Sequence, residues 1–157
     1  MIASGFMKLS NAIGLDANIL CYALDPAFSE HKKASLILKQ PVQRANIAIN
    51  PTVLHETYHT LIYKQKWLRE DVSNQLFSLL KQKHVVFLNQ TKTISRNAVF
   101  LANKYELGGR DSLILSNYLL NNIAEMYTHD RRICELRKVV LRDKELSLSD
   151  PLTEDIE

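Results

Sequence analysis

Short apolar runs alternate with longer stretches of helical period along most of the chain, and this alternation limits the folds open to it more than any other feature. Ala12 to Asp16, Ala45 to Ile49, Val85 to Leu88, Glu125 to Thr128 and Val139 to Leu141 read as strands. Between them, Ile19 to Leu24 continue as an apolar turn or helix, and Glu30 to Gln40 form a helix capped by Ser29 and closed by Pro41. Asn50-Pro51 opens a helix with the apolar stripe Val53, Leu54, Tyr58, Leu61 and Ile62. Asp71 to Lys81 is the next helix, and Ile94, Ala98, Leu101 and Tyr105 set the register of another. The glycine pair in Leu107-Gly108-Gly109-Arg110 predicts a loop that re-aims the chain into a helix from Asp111 to Asn121, and Arg131 to Leu136 reads as a short helix. Strands alternating with helices predict an α/β fold: a three-layer α/β/α sandwich with a central parallel sheet of four or five strands.

With 157 residues and 46% hydrophobic content, the chain can bury one core. A single domain is expected over residues 1–149, followed by an acidic polar tail over 150–157. That tail holds four acids and no base, so the body carries 20 basic against 13 acidic groups, or +7, where the whole chain carries +3. A basic body suits a polyanionic partner. Cys21 and Cys134 have no second Cys or His at finger-like spacing and read as free thiols in a reducing compartment. No stretch approaches about 20 apolar residues and Met1 to Ser10 lacks a basic leader, so no membrane association and a cytoplasmic location are expected.

Four acids stand out by position. Asp16 and Asp130 follow strands, while Glu56 and Asp111 lie on helices that strands or loops feed. In parallel sheets, functional groups gather outside the carboxyl ends of the strands, so all four can meet. Carboxylates about 5 Å apart at an effective dielectric of about 20 repel by about 3 kcal/mol per pair, and a divalent cation relieves that repulsion. The chemistry suggested is metal-assisted hydrolysis of a phosphodiester. Arg110, Arg131, Arg132 and Lys104 lie near these acids in sequence and are candidate phosphate contacts, and Trp67 and Tyr63 are candidate base-stacking groups.

A second motif competes for the same region. His55-Glu56-Thr57-Tyr58-His59 is a literal H-E-x-x-H, the zinc metalloprotease pattern of two histidines and a glutamate base. The extended form of that motif needs Gly and His where this chain has Ile62 and Gln65. A third reading is a non-catalytic scaffold that grips RNA or protein through the same acids. A phosphorelay receiver also has acids at strand ends, but no clear phosphoacceptor Asp with a paired Lys is present.

Leu15-Asp16-Ala17-Asn18-Ile19-Leu20, the mid-helix Glu56, Gly109-Arg110-Asp111-Ser112-Leu113-Ile114 and Tyr127-Thr128-His129-Asp130 resemble the acidic motifs of the PIN-domain family. Their order and spacing are similar to the toxin branch, the VapC-like ribonucleases of toxin-antitoxin pairs, over roughly residues 12–142. The resemblance implies a Mg²⁺- or Mn²⁺-dependent endoribonuclease, a homodimer restrained by a small antitoxin, with RNA as substrate. It implies that Asp16, Glu56, Asp111 and Asp130 form the catalytic, metal-binding set, with Asn18 and Thr128 in support. On this view Asp16 and Asp111 hold the principal ion, Glu56 orients or deprotonates water, and Asp130 completes the shell or binds a second ion. Ile19 to Leu24 and the Glu30 to Gln40 helix carry apolar surface that a dimer or an antitoxin groove would cover.

Overall fold

The computed structural model describes residues 11–39 and 46–153. Among the described residues, six strands form one sheet: β1 (Ile13–Leu15), β2 (Ile47–Ile49), β3 (Val85–Phe87), β4 (Glu125–Tyr127), β5 (Lys138–Leu141) and β6 (Lys144–Ser149). Their order is β3-β2-β1-β4-β6-β5, parallel throughout except where β5 meets β6. Between them run α1 (Ala17–Leu24), α2 (His31–Leu38), α3 (Pro51–Tyr63), α4 (Arg69–Lys81), α5 (Lys92–Tyr105), α6 (Gly109–Leu120) and α7 (Arg131–Glu135). The chain steps from β1 to β2 to β3 in one direction and then returns to place β4 on the other side of β1. Right-handed crossovers therefore put α1 to α4 on one face and α5 and α6 on the other, which makes three layers. The reversal at β1 opens a crevice between the carboxyl ends of β1 and β4.

The strand β1 and its neighbour β2 are apolar on both sides because helices cover both faces: Leu15, Ile47, Ala48 and Ile49 are all buried. Tyr118 of α6 is the largest fully buried side chain, and its hydroxyl lies 2.5 Å from the carbonyl of Leu15 and 3.1 Å from that of Ala48. Its ring lies flat against Gly14, where a Cβ would stand 2.7 Å from the nearest ring carbon. Two further buried polar residues secure the same helix. Ser116 donates to the Ile94 carbonyl at 2.7 Å, and the Asn117 amide donates to the Leu88 carbonyl at 3.0 Å. Hydrogen bonds of this kind hold α6 in one register against the sheet.

Several elements depart from the sequence expectations. The strand β6 falls on residues 144–149, where the sequence marked no element, and it inserts between β4 and β5. It alternates buried Leu146 and Leu148 with polar residues, and a two-residue turn reached through Arg142, at φ 57°, joins it to β5. Glycine or asparagine ordinarily marks such a turn, so the hairpin is hidden in the sequence. Asp150 to Thr153 also close onto the body, through His129 Nδ1 to Asp150 Oδ2 at 2.7 Å and a buried Leu152.

The glycine pair is not a loop. Gly108 caps α6 and Gly109 begins it, and Glu106 turns the chain with a left-handed φ of 56°. Glu30, without a side-chain hydrogen bond, stands at the cap position expected for Ser29, and α4 begins at Arg69, two residues before Asp71. Gln40, Pro41 and Ala45 lie outside the described residues. The apolar surface expected on α1 and α2 is mostly internal, since Ile19, Leu20, Cys21, Ala23, Ala34 and Ile37 are buried. The two helices pack on each other and α1 packs on α3, which leaves Leu36 as their one large exposed apolar side chain among the described residues. Exposed apolar groups lie instead on and just before α4 (Leu68, Phe77, Leu80) and on α5 (Val99, Phe100). Among the described residues, no helix is long and apolar enough to cross a membrane.

Candidate active site

A cleft of about 930 Å³ opens over the carboxyl end of β1, and Asp16, Glu56, Asp111 and Asp130 all line it. Each arrives by a different local route. Asp16 ends β1 in an extended conformation, caps α1, and is fixed by its amide donating to the Tyr127 carbonyl at 2.9 Å. Glu56 is carried by α3, whose start is set by Asn50 Oδ1 accepting from the Val53 amide at 3.0 Å and by Pro51 at the first helical position. Asp111 occupies the first turn of α6, and Asp130 caps α7 by accepting from the Ile133 amide at 3.1 Å.

Thr128 and Asn18 tie these pieces together. The Thr128 hydroxyl is fully buried, donates to Asp16 Oδ2 at 2.6 Å and accepts from the Asp130 amide at 3.1 Å. One side chain thus sets the spacing of two acids from different strands. Asn18 Oδ1 accepts from the His129 amide at 3.2 Å, and so holds the loop between Thr128 and Asp130 against α1.

The electrostatics are those of crowded, partly desolvated acids. Burial pushes the Asp16 pKa from an ordinary 3.8 up to about 6; the Thr128 and Ala17 hydrogen bonds oppose this, while Asp111 and Glu56 add to it. Burial also raises Glu56, with Arg110 lowering and Asp111 raising it. For Asp111 the causes are burial and then the Asp130 charge, offset by Arg110 and Arg132. Arg110 is the nearest internal counter-ion, with Nε 3.3 Å from Glu56 Oε1.

A carboxyl whose pKa is higher folded than unfolded binds more protons in the folded state, so stability falls as pH rises from about 4 to about 6. For Asp16 that loss is of the order of 3 kcal/mol. Asp16→Asn, measured by thermal melting with chelator present, should therefore melt higher than wild type at pH 8, and the difference should vanish near pH 4. A lower melting point at pH 8 would show that Asp16 is not under charge strain.

As placed, no three His, Cys, Asp or Glu side chains among the described residues stand close enough to chelate one ion directly. Neighbours already hold the acids: Thr128 holds Asp16, Arg110 holds Glu56 and the Ile133 amide holds Asp130. An all-oxygen set of mutually repelling carboxylates still suits Mg²⁺ or Mn²⁺, because such ions keep several waters and need only one or two direct carboxylates.

The remaining sequence candidates separate. Arg110 lines the cleft, and Arg132 donates to the Glu106 carbonyl at 2.8 Å while lowering the Asp111 pKa. Arg131 points outward and pairs with Glu135, and Lys104 donates to the Val140 carbonyl on the β5 edge. Trp67 is half-buried and donates to Asp25 Oδ2 at 3.2 Å, and the Tyr63 hydroxyl accepts from Arg69. His55 and His59 border the cleft from α3, but no third ligand joins them among the described residues, and His59 packs on the Tyr63 ring at 4.6 Å. The sequence did not mark Tyr118, Gly14, Tyr22 or Lys64 for this region; their signal is purely tertiary.

The family model described as PIN domain matches residues 13–139. Among solved structures, VapC20 from Mycobacterium tuberculosis, described as a sarcin-ricin loop cleaving toxin, is similar with a TM-score of 0.62 at 15% identity, over 76% of this chain and 90% of that one. VapBC2 from Rickettsia felis, solved with a DNA fragment from its promoter, is similar with a TM-score of 0.65 at 18% identity, over 88% and 98%. FitAcB from Neisseria gonorrhoeae is similar with a TM-score of 0.56 at 13% identity, over 90% and 99%. Compared by sequence with curated proteins, the chain has no match.

Proposed function

The chain belongs to the PIN domain family, and from that premise we propose that it is a Mg²⁺- or Mn²⁺-dependent endoribonuclease, the toxin of a toxin-antitoxin pair. The observation that carries this reading is that four acids from four separate segments line one cleft, where burial and then neighbouring carboxylates raise the pKa values of Asp16, Glu56 and Asp111. Asp16 and Asp111 are the principal ligands, Asp130 completes the shell, and Glu56 orients or deprotonates the attacking water. A bound divalent ion would acidify that water and offset charge on the leaving oxygen. Thr128 keeps Asp16 aimed into the cleft, and Asn18 steadies the loop that carries Asp130. Arg110 neutralises Glu56 and stands where it can meet an RNA phosphate.

A homodimer and a small antitoxin are the partners of this reading, and the exposed apolar groups on α4 and α5 give them surface to cover. In the cytoplasm, such an antitoxin would restrain the nuclease until it is needed. The zinc-protease reading gains no support, because His55 and His59 lack a third ligand among the described residues. The test is cleavage of single-stranded RNA by purified protein. Activity should fall at least about 100-fold in excess chelator and return on adding Mn²⁺ or Mg²⁺. Undiminished cleavage in chelator would end the proposal.

A further inference from the structure

The cleft is longer than a metal site needs. From Glu56 to Lys64, α3 rises about 12 Å, whereas an ion holds its oxygen ligands at about 2 Å. Lys64 lines the cleft at this far end, is exposed, and has no carboxylate partner among the described residues. It still acts on the acidic end, because its charge lowers the Glu56 pKa.

The corner that carries Lys64 is built rather than loose. The Lys64 and Gln65 amides both donate to the Thr60 carbonyl at 3.0 Å, and the chain then turns through Lys66 at φ 61°. Gln65 Nε2 and Trp67 Nε1 converge on Oδ2 of the buried Asp25, at 3.0 and 3.2 Å. Burial alone would raise the Asp25 pKa, but hydrogen bonds from the Ala27 amide, Gln65 and Trp67 outweigh it and keep the carboxylate ionised. This anchored charge explains why the end of α3 keeps its place. The cleft is also lined by Tyr22 and Phe28, whose rings meet edge to face at 4.9 Å.

We propose that this end of the cleft is a subsite for a phosphate flanking the scissile one on single-stranded RNA, with Lys64 as its cation and the Tyr22–Phe28 pair as the apolar wall beside the intervening nucleoside. The proposal rests on the nuclease reading and adds to it a residue that sets the strand's path. A cation about two helical turns from Glu56, without a carboxylate partner among the described residues and lining the same cleft as two aromatic rings, matches the alternation of phosphate and base along one strand.

The experiment measures binding of an eight-nucleotide single-stranded RNA to the full chain carrying Asp111→Asn, across a salt series, beside a cleavage assay of wild type. Adding Lys64→Ala should weaken binding about tenfold at low salt and make the slope of log Kd against log salt shallower by about 0.7. Lys64→Arg should restore both, and Lys32→Ala, on the exposed side of α2, should change neither. An uncharged methylphosphonate walked along the strand should weaken binding sharply at one linkage, and that loss should disappear with Lys64→Ala. An unchanged slope with additive losses at every linkage would overturn the subsite, and is also the result if a peptide occupies this end. If wild type cleaves RNA and the slope is unchanged, the subsite falls alone; if the chain neither cleaves nor binds RNA, the nuclease reading falls with it.

Discussion

Asp111→Asn should lower the rate of RNA cleavage by at least about 10³-fold, equivalent to about 4 kcal/mol of lost transition-state stabilisation. Asp111 stands in the first turn of α6 and is coupled to Asp130 by charge repulsion. An amide there keeps the shape and loses the anionic ligand. The comparison with His59→Ala is decisive between chemistries. A zinc site built on His55 and His59 would lose its activity with His59, whereas the acidic site should lose less than about tenfold. Circular dichroism of both variants should match wild type, because neither side chain is fully buried. An Asp111→Asn protein that cleaves at the wild-type rate would remove Asp111 from the site.

Gly14→Ala should destabilise the fold by about 1–3 kcal/mol, although alanine is otherwise acceptable in a strand. The added methyl would meet the Tyr118 ring at 2.7 Å, and that ring cannot retreat while its hydroxyl is held between the Leu15 and Ala48 carbonyls. Urea unfolding should show a lower midpoint at unchanged slope. In a Tyr118→Leu background the same methyl should cost less than about 1 kcal/mol, because the interfering ring is gone. Equal costs in the two backgrounds would show that the contact is not the cause. Activity should fall as well, since Gly14 lies two residues before Asp16 and any displacement of β1 moves that carboxylate.

Much of the fold could be read in advance because parallel strands covered on both faces become short continuous apolar runs, as in Ile47–Ile49, and amphipathic helices repeat every three to four residues, as in α5. Helix caps made by a local side chain were also legible: Asn50 before Pro51 is the example, with its hydrogen bond to the Val53 amide. The hairpin of β5 and β6 was not, because Arg142 and Asp143 turn the chain without glycine and β6 carries only two buried leucines. Nor was the role of Glu106, a residue with no side-chain reason to adopt a left-handed conformation. Among the described residues, all five positive-φ positions are non-glycine, so turn chemistry read from glycine was bound to misplace them.

For the candidate site the division is similar. The sequence by itself determined which acids stand at strand ends and helix starts, since those positions follow from local periodicity. Tertiary structure alone decided that Thr128 would bridge Asp16 and Asp130, that Arg110 would neutralise Glu56, and that Lys64 would reach the same cleft. Those relations join residues up to 112 positions apart. No local pattern encodes such distances, because they depend on how the sheet orders its strands and how the buried Tyr118 sets one helix against them.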